Sequence, residues 1–150
     1  MLPLSLKPPA GRPLSVLAIG AHPDDVEIGA GGLLLQLATR PLQARYVLLT
    51  GTAERQAEAR AAARAFLPGA DLTMDLFQLP EGRLPAAWAQ VKEILEEVAR
   101  SCSPDVILAH PGWGETLYAR DIFPRARLIH LCEWYYSAEG ADLGFDPEFP

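Results

Sequence analysis

At 150 residues and a formal net charge of −6, the chain has the length of one domain with a real core. Hydrophobic residues make up 49% and charged residues 21%, the balance of a globular protein. With an acidic balance and no evident basic patch, neither nucleic acid nor an anionic membrane is expected as a partner, and the charge reads simply as a solubility feature.

Residues 1–13 hold Lys7, Arg12 and four prolines but no long apolar run. They read as a flexible lead-in, neither a signal peptide nor a transmembrane helix, and the expected location is cytoplasmic. LSVLAIG predicts a strand over 14–20. A helix over 27–39 follows, with Ile28, Leu33, Leu34 and Leu37 as its apolar side and Arg40-Pro41 as its stop. ARYVLL predicts a second strand over 44–49. ERQAEARAAARAFL, rich in good helix formers, predicts a helix over 54–67 that ends at Pro68-Gly69. A third strand is expected over 72–79. A helix opened by Pro85 carries Trp88, Val91, Ile94, Leu95 and Val98 on one side. DVILA, 105–109, is a fully apolar fourth strand, and ARLIHLCEWYY predicts a fifth within 127–135.

Strands alternating with helices imply βαβ units. The expected fold is α/β, a three-layer Rossmann-like domain whose mostly parallel sheet of at least four strands is flanked by helices on both faces. His130 reads as a strand or core residue, and Trp134, Tyr135 and Tyr136 as packing residues. The acidic stretch 139–148 reads as irregular. Cys102 and Cys132 form no CxxC pair and are expected as two buried free thiols.

The functional signal lies in IGAHPDDVEIGAGG, 19–32, where the first strand gives way to the first helix. Ligands of open α/β sheets bind at that edge, outside the carboxyl ends of the strands. Asp24 and Asp25 are costly to bury as bare anions, and a divalent metal would compensate them. His22 beside a carboxylate suits zinc. The plain alternative is a helix start, because Asp caps helices and acids favour their positive end. That explains Asp24, Asp25 or Glu27 singly, but not the group together.

AHPDDVEIGAGG resembles the first motif of the PIG-L/LmbE family of zinc-dependent N-deacetylases, which hydrolyse the acetamide of N-acetylglucosamine-type conjugates. The likeness runs over about 14–109. It implies His22 and Asp25 as zinc ligands and Asp24 as the general base that takes a proton from water. The helix after the second strand carries Arg55-Gln-Ala-Glu58, similar to an R-x-x-E helix whose arginine lies near the substrate in that family. Arg55 otherwise reads as a solvated helix charge.

The family's second histidine motif, H-x-D-H-like, is missing after DVILA. The chain instead reads AHPGWGETLYARDIFPRARLIHLCEWYYSAEGADLGFDPEFP. Over about 104–150 this resembles the N-terminal domain of a family 4 glycosyltransferase. The chain thus reads as a lead-in (1–13), a deacetylase-like α/β domain (14–109) and a glycosyltransferase-like tail (110–150) continuing the same sheet. His110 follows the fourth strand on the same sheet edge as His22. It reads either as a replacement third zinc ligand or as a loop histidine. Glu115 reads as a metal- or sugar-binding carboxylate, or as the cap of a helix near Thr116. Trp113, between two glycines, either packs or stacks on a sugar.

Two functions follow. One is a zinc-dependent hydrolase acting on an N-acetylated amino sugar conjugate, impaired by the missing motif. The other is a glycosyltransferase-derived sugar-binding unit without hydrolytic activity. A catalytic zinc usually has three protein ligands, and the first motif supplies two.

Overall fold

The computed structural model describes residues 6–7 and 11–132. Among them five strands, β1 (Leu14–Gly20), β2 (Leu42–Leu48), β3 (Asp71–Leu76), β4 (Val106–Ala109) and β5 (Arg127–His130), form one sheet in the order β3-β2-β1-β4-β5, and every pairing is parallel. Helices connect them: α1 (Asp25–Leu37), α2 (Ala53–Phe66), α3 (Trp88–Ser101), entered through a 3-10 turn at Leu84–Ala87, and the single turn α4 (Ala119–Ile122). This is the expected α/β Rossmann-like architecture, with all of its described strands parallel.

The alternation of side chains along a strand explains the layers. On β1, Leu14, Val16 and Ala18 enter one apolar cluster with Val26, Ala30, Leu34 and Leu37 of α1 and Ala59 and Ala63 of α2. Leu17 and Ile19 enter the other, with Val91, Leu95 and Val98 of α3 and Ala119 of α4. All seven β1 residues are buried, because helices cover both faces. A strand in that position needs an unbroken apolar sequence. β3, at the sheet edge, alternates exposed and partly buried positions over its first half instead.

Three sequence expectations are corrected here. Ile28 is 69% exposed, since the buried side of α1 is set by Val26, Ala30, Leu34 and Leu37. Trp88 is also exposed, because Leu84 of the preceding 3-10 turn fills the core position at that end. Both cysteines are free, but Cys102 is only half-buried and Cys132 is exposed. Cys132 lies just past the edge strand β5. Residues 1–5 and 8–10 of the lead-in lie outside the described residues. So do the part of the fifth strand predicted beyond 132, the aromatic residues 134–136 and the stretch 139–148. Among the described residues no helix is long and apolar enough to cross a membrane.

One ion pair ties the start of the chain to the sheet. Both guanidinium ends of Arg12 donate to Asp105, at 2.6 and 2.9 Å, and the Ser15 N–H donates to the same carboxylate at 2.9 Å. Burial works to raise the Asp105 carboxyl, but Arg12 and the Ser15 N–H outweigh it and hold it below the ordinary carboxylate range. A depressed carboxyl contributes stability that is present above its unfolded pKa and is lost as pH falls through the folded value. Arg12→Ala is therefore expected to lower stability modestly at pH 7, by up to about 1 kcal/mol for so exposed a pair. It should also make acid unfolding begin at higher pH, as read by circular dichroism. An acid transition identical to that of the parent protein would contradict the assignment.

Candidate active site at the carboxyl edge of the sheet

β1 is flanked by β2 on one side and β4 on the other, so the strand order reverses direction at β1. Ile19 pairs with Ala109, which brings the carboxyl ends of β1 and β4 level. The loops bearing His22 and His110 therefore leave the same edge at the switch point, where open α/β sheets bind ligands.

The first loop shapes the start of α1. The Asp25 carboxylate accepts the His22 N–H at 2.9 Å, and the same oxygen lies 3.6 Å from His22 Nδ1. Asp25 thus closes the turn from the first helical residue. Asp24 occupies the N-cap position, yet its side chain caps nothing. Its half-exposed carboxylate instead accepts from Arg55 Nη2 of α2 at 2.9 Å. The simple helix-cap reading therefore fails for Asp24, and the two sequence candidates Asp24 and Arg55 are brought together from separate helices.

The loop after β2 braces this turn. The Thr50 N–H and Oγ1 both donate to the Ala21 carbonyl, at 3.0 and 2.7 Å, and the Leu49 N–H donates to Gly20. Gly51 adopts φ +114°, and a Cβ there would lie 2.6 Å from Pro23 Cγ. The proline ring is tied to the backbone and cannot swing aside. Gly51→Ala is expected to cost about 1–3 kcal/mol, from a strained backbone conformation and the clash. It should also displace the turn carrying Asp24. Chemical denaturation checks the first effect and backbone amide shifts of residues 22–25 the second.

The second loop, HPGWGE, is built around buried polar groups. His110 is buried and its Nδ1 accepts the Gly112 N–H at 3.0 Å, so the proton of the neutral ring sits on Nε2. Glu115 is fully buried; one carboxylate oxygen accepts the Trp113 N–H at 3.0 Å and the other lies 3.7 Å from His110 Nδ1. Burial pushes the Glu115 carboxyl up to about 7, against the lowering effect of the backbone N–H groups. The expected helix near Thr116 begins only at Ala119, so Glu115 caps no helix. It fastens the loop from beneath, out of reach of a ligand in solvent. Trp113, 42% exposed, makes a T-shaped contact with the His22 ring at 5.1 Å between centroids.

His130 closes β5 at the same edge and is exposed, a strand residue but not a core one. Partial burial, and then the proximity of His110, lower its pKa. The sequence reading missed Tyr46. Fully buried on β2, it lies beside Glu27 of α1, whose carboxylate oxygens are themselves buried. Burial raises both groups above their ordinary values. The signal was a phenol set directly against the apolar run VLL of a central strand.

Imidazoles and carboxylates at one sheet edge are the right donor types for zinc. His22 and Asp25 are close enough to reach one ion. His110 Nδ1 is engaged by its own loop, however, and Glu115 lies beneath it. Among the described residues no group of three or more His, Cys, Asp or Glu is placed to hold a metal ion. The arrangement therefore does not fit a zinc held by three protein ligands.

Comparison with known proteins bears on both halves of this edge. The conserved protein TT1542 from Thermus thermophilus is similar in structure, with a TM-score of 0.62 and 24% identity over 83% of this chain and 69% of its own. The A40926 pseudoaglycone deacetylase Dbv21 has a TM-score of 0.60 and 19% identity, over 85% and 69%. The N,N'-diacetylchitobiose deacetylase from Pyrococcus horikoshii has 0.58 and 19%, over 79% of this chain and 52% of its own. This chain thus spans about half the length of that enzyme. At these identities the likeness establishes the fold. No curated protein matches the chain in sequence. A family model, the Glycosyl transferase family 4 group, matches residues 73–150, just over half of the chain. The likeness expected from about 104 onwards thus begins earlier, inside β3. Because the match takes in α3, β4, β5 and the whole loop that carries His110, Trp113 and Glu115, the chain belongs to the glycosyl transferase family 4 group.

Proposed function

We propose that the chain binds an N-acetylated amino sugar conjugate at the carboxyl edge of β1 and β4 and hydrolyses its acetamide, as a zinc-dependent N-deacetylase with an impaired metal site. The observation that carries this reading is the Asp24–Arg55 pair: a half-exposed carboxylate that no helix N–H claims, held by a guanidinium from the next helix. In this reading Asp24 takes a proton from an attacking water, and Arg55 binds polar groups of the conjugate once the pair opens. The similar folds of two enzymes named as deacetylases support the class of reaction. Zinc is the cofactor this reading calls for, with His22 and Asp25 as its holders. His110 is the candidate for the third place, and reaching it requires the HPGWGE loop to give up the Gly112 contact.

A second reading, a sugar-binding member of the glycosyltransferase group without hydrolytic activity, is favoured by the family match and by the lack of a third ligand among the described residues. Metal analysis after dialysis, combined with acetate release from N-acetylglucosamine conjugates in added zinc, separates the two. Slow acetate release that depends on zinc supports the hydrolase. Sugar binding with no acetate release at any zinc concentration supports the second reading.

A further inference from the structure

We infer that Trp113 is the platform on which the pyranose ring of the amino sugar stacks, so that the loop from the glycosyltransferase-like half supplies the sugar subsite for polar groups on the first motif. This rests on the amino-sugar reading above and deepens it.

Four observations lead there. Trp113 keeps 42% of its surface exposed although its neighbour Glu115 is fully buried. Its contact with His22 is perpendicular, with ring centroids 5.1 Å apart. In such a contact one ring offers its edge to the face of the other. Whichever ring gives the edge, at most one indole face is covered by His22. The loop backbone that carries the indole is fastened as well: the Trp113 backbone N–H donates to the buried Glu115 carboxylate at 3.0 Å. Gly114 at φ +87° lets the chain turn directly behind it. Unlike Trp88 on its helix, this ring stands beside the polar groups of the first loop, where its open face can take an occupant with an apolar side.

The polar groups around it select the occupant. His22 packs against the indole, Asp25 lies beside His22, and Asp24, in the same turn, is paired with Arg55 of α2. An aromatic face beside an imidazole, with carboxylates on the same turn, suits a molecule with C–H bonds on one side and hydroxyls around its rim. A pyranose ring is such a molecule, whereas a purely apolar ligand would offer no polar partner to the imidazole beside the indole or to the carboxylate beside that imidazole. The apolar side of the sugar meets the indole, its hydroxyls extend towards Arg55, and its acetamide extends towards His22 and Asp24.

Calorimetric titration of the whole chain with the disaccharide N,N'-diacetylchitobiose, in the presence of a chelator, tests the proposal without any contribution from metal. The parent protein is expected to bind. Trp113→Ala should weaken binding about tenfold, Trp113→Phe should stay within about threefold, and Leu35→Ala, exposed near the end of α1 remote from the site turn, should leave it unchanged. Binding by the parent and by Trp113→Phe should also differ in signature, because the parent's indole fluorescence responds to the sugar and the Phe variant loses that response. Circular dichroism confirms that each variant is folded. Trp113→Ala binding as tightly as the parent overturns the platform and leaves the amino-sugar reading standing. A parent protein that binds no amino sugar overturns both.

Discussion

Asp24→Asn is expected to reduce acetate release from an N-acetylglucosamine conjugate by about 10²–10⁴-fold, the usual worth of a positioned general base. Asn keeps the shape and one acceptor oxygen, so the contact from Arg55 Nη2 at 2.9 Å survives in weakened form. It loses the ability to take a proton. Because the Asp24 side chain closes no helix N–H, the substitution leaves the start of α1 intact, and stability should change little. Asp25→Ala should behave differently. It removes the acceptor of the His22 N–H and the carboxylate beside His22 Nδ1. Both stability and any bound zinc should fall together. Equal turnover by Asp24→Asn would show that this carboxylate is not the base. Retention of zinc by both variants would show that the division of labour between the two aspartates is wrong.

Glu115→Gln is expected to change how stability depends on pH, and by the largest amount of any single ionisable group in the second loop. The Glu115 carboxyl has a folded pKa of about 7, against 4.5 for the free side chain, because burial disfavours its charged form. Raised in this way, the group contributes stability that is fully present below pH 4.5 and is lost as pH rises through about 7. The difference corresponds to about 3 kcal/mol of lost stability between acid and mildly alkaline conditions. Gln does not titrate, and its amide oxygen still accepts the Trp113 N–H. In chelator, the variant should match the parent within about 1 kcal/mol at about pH 5 and exceed it by about 2 kcal/mol at about pH 8. Denaturant midpoints at the two pH values measure this, with equal slopes confirming a like-for-like comparison. Parallel pH profiles for the two proteins would mean that the loop opens and hydrates the carboxyl.

The layers, and the sheet edge at which HPDD lies, are legible in the sequence. Strand and helix periods are local properties, and β1 in particular is legible because a strand covered on both faces must be apolar at nearly every position. The motif HPDD could be placed at a sheet edge for the same reason: an apolar strand ends and a helix begins around it. What the linear chain does not encode residue by residue is partnership across distance. Asp24 reads equally well as a helix cap until Arg55 arrives from α2 to claim it. Glu115 reads as an open ligand or a cap until the loop folds over it and leaves it fully buried. His110 was traceable to the right edge from strand order, but the direction of its ring depends on the Gly112 N–H, a contact made by the turn itself. Ile28 and Trp88 fit their helical periods and are nevertheless exposed, because the period defines a face and the neighbouring elements decide how much of it is covered. Fold follows from patterns summed over many residues, which tolerate single exceptions. A site depends on a few side chains placed within an ångström, and only the packed tertiary structure sets those distances.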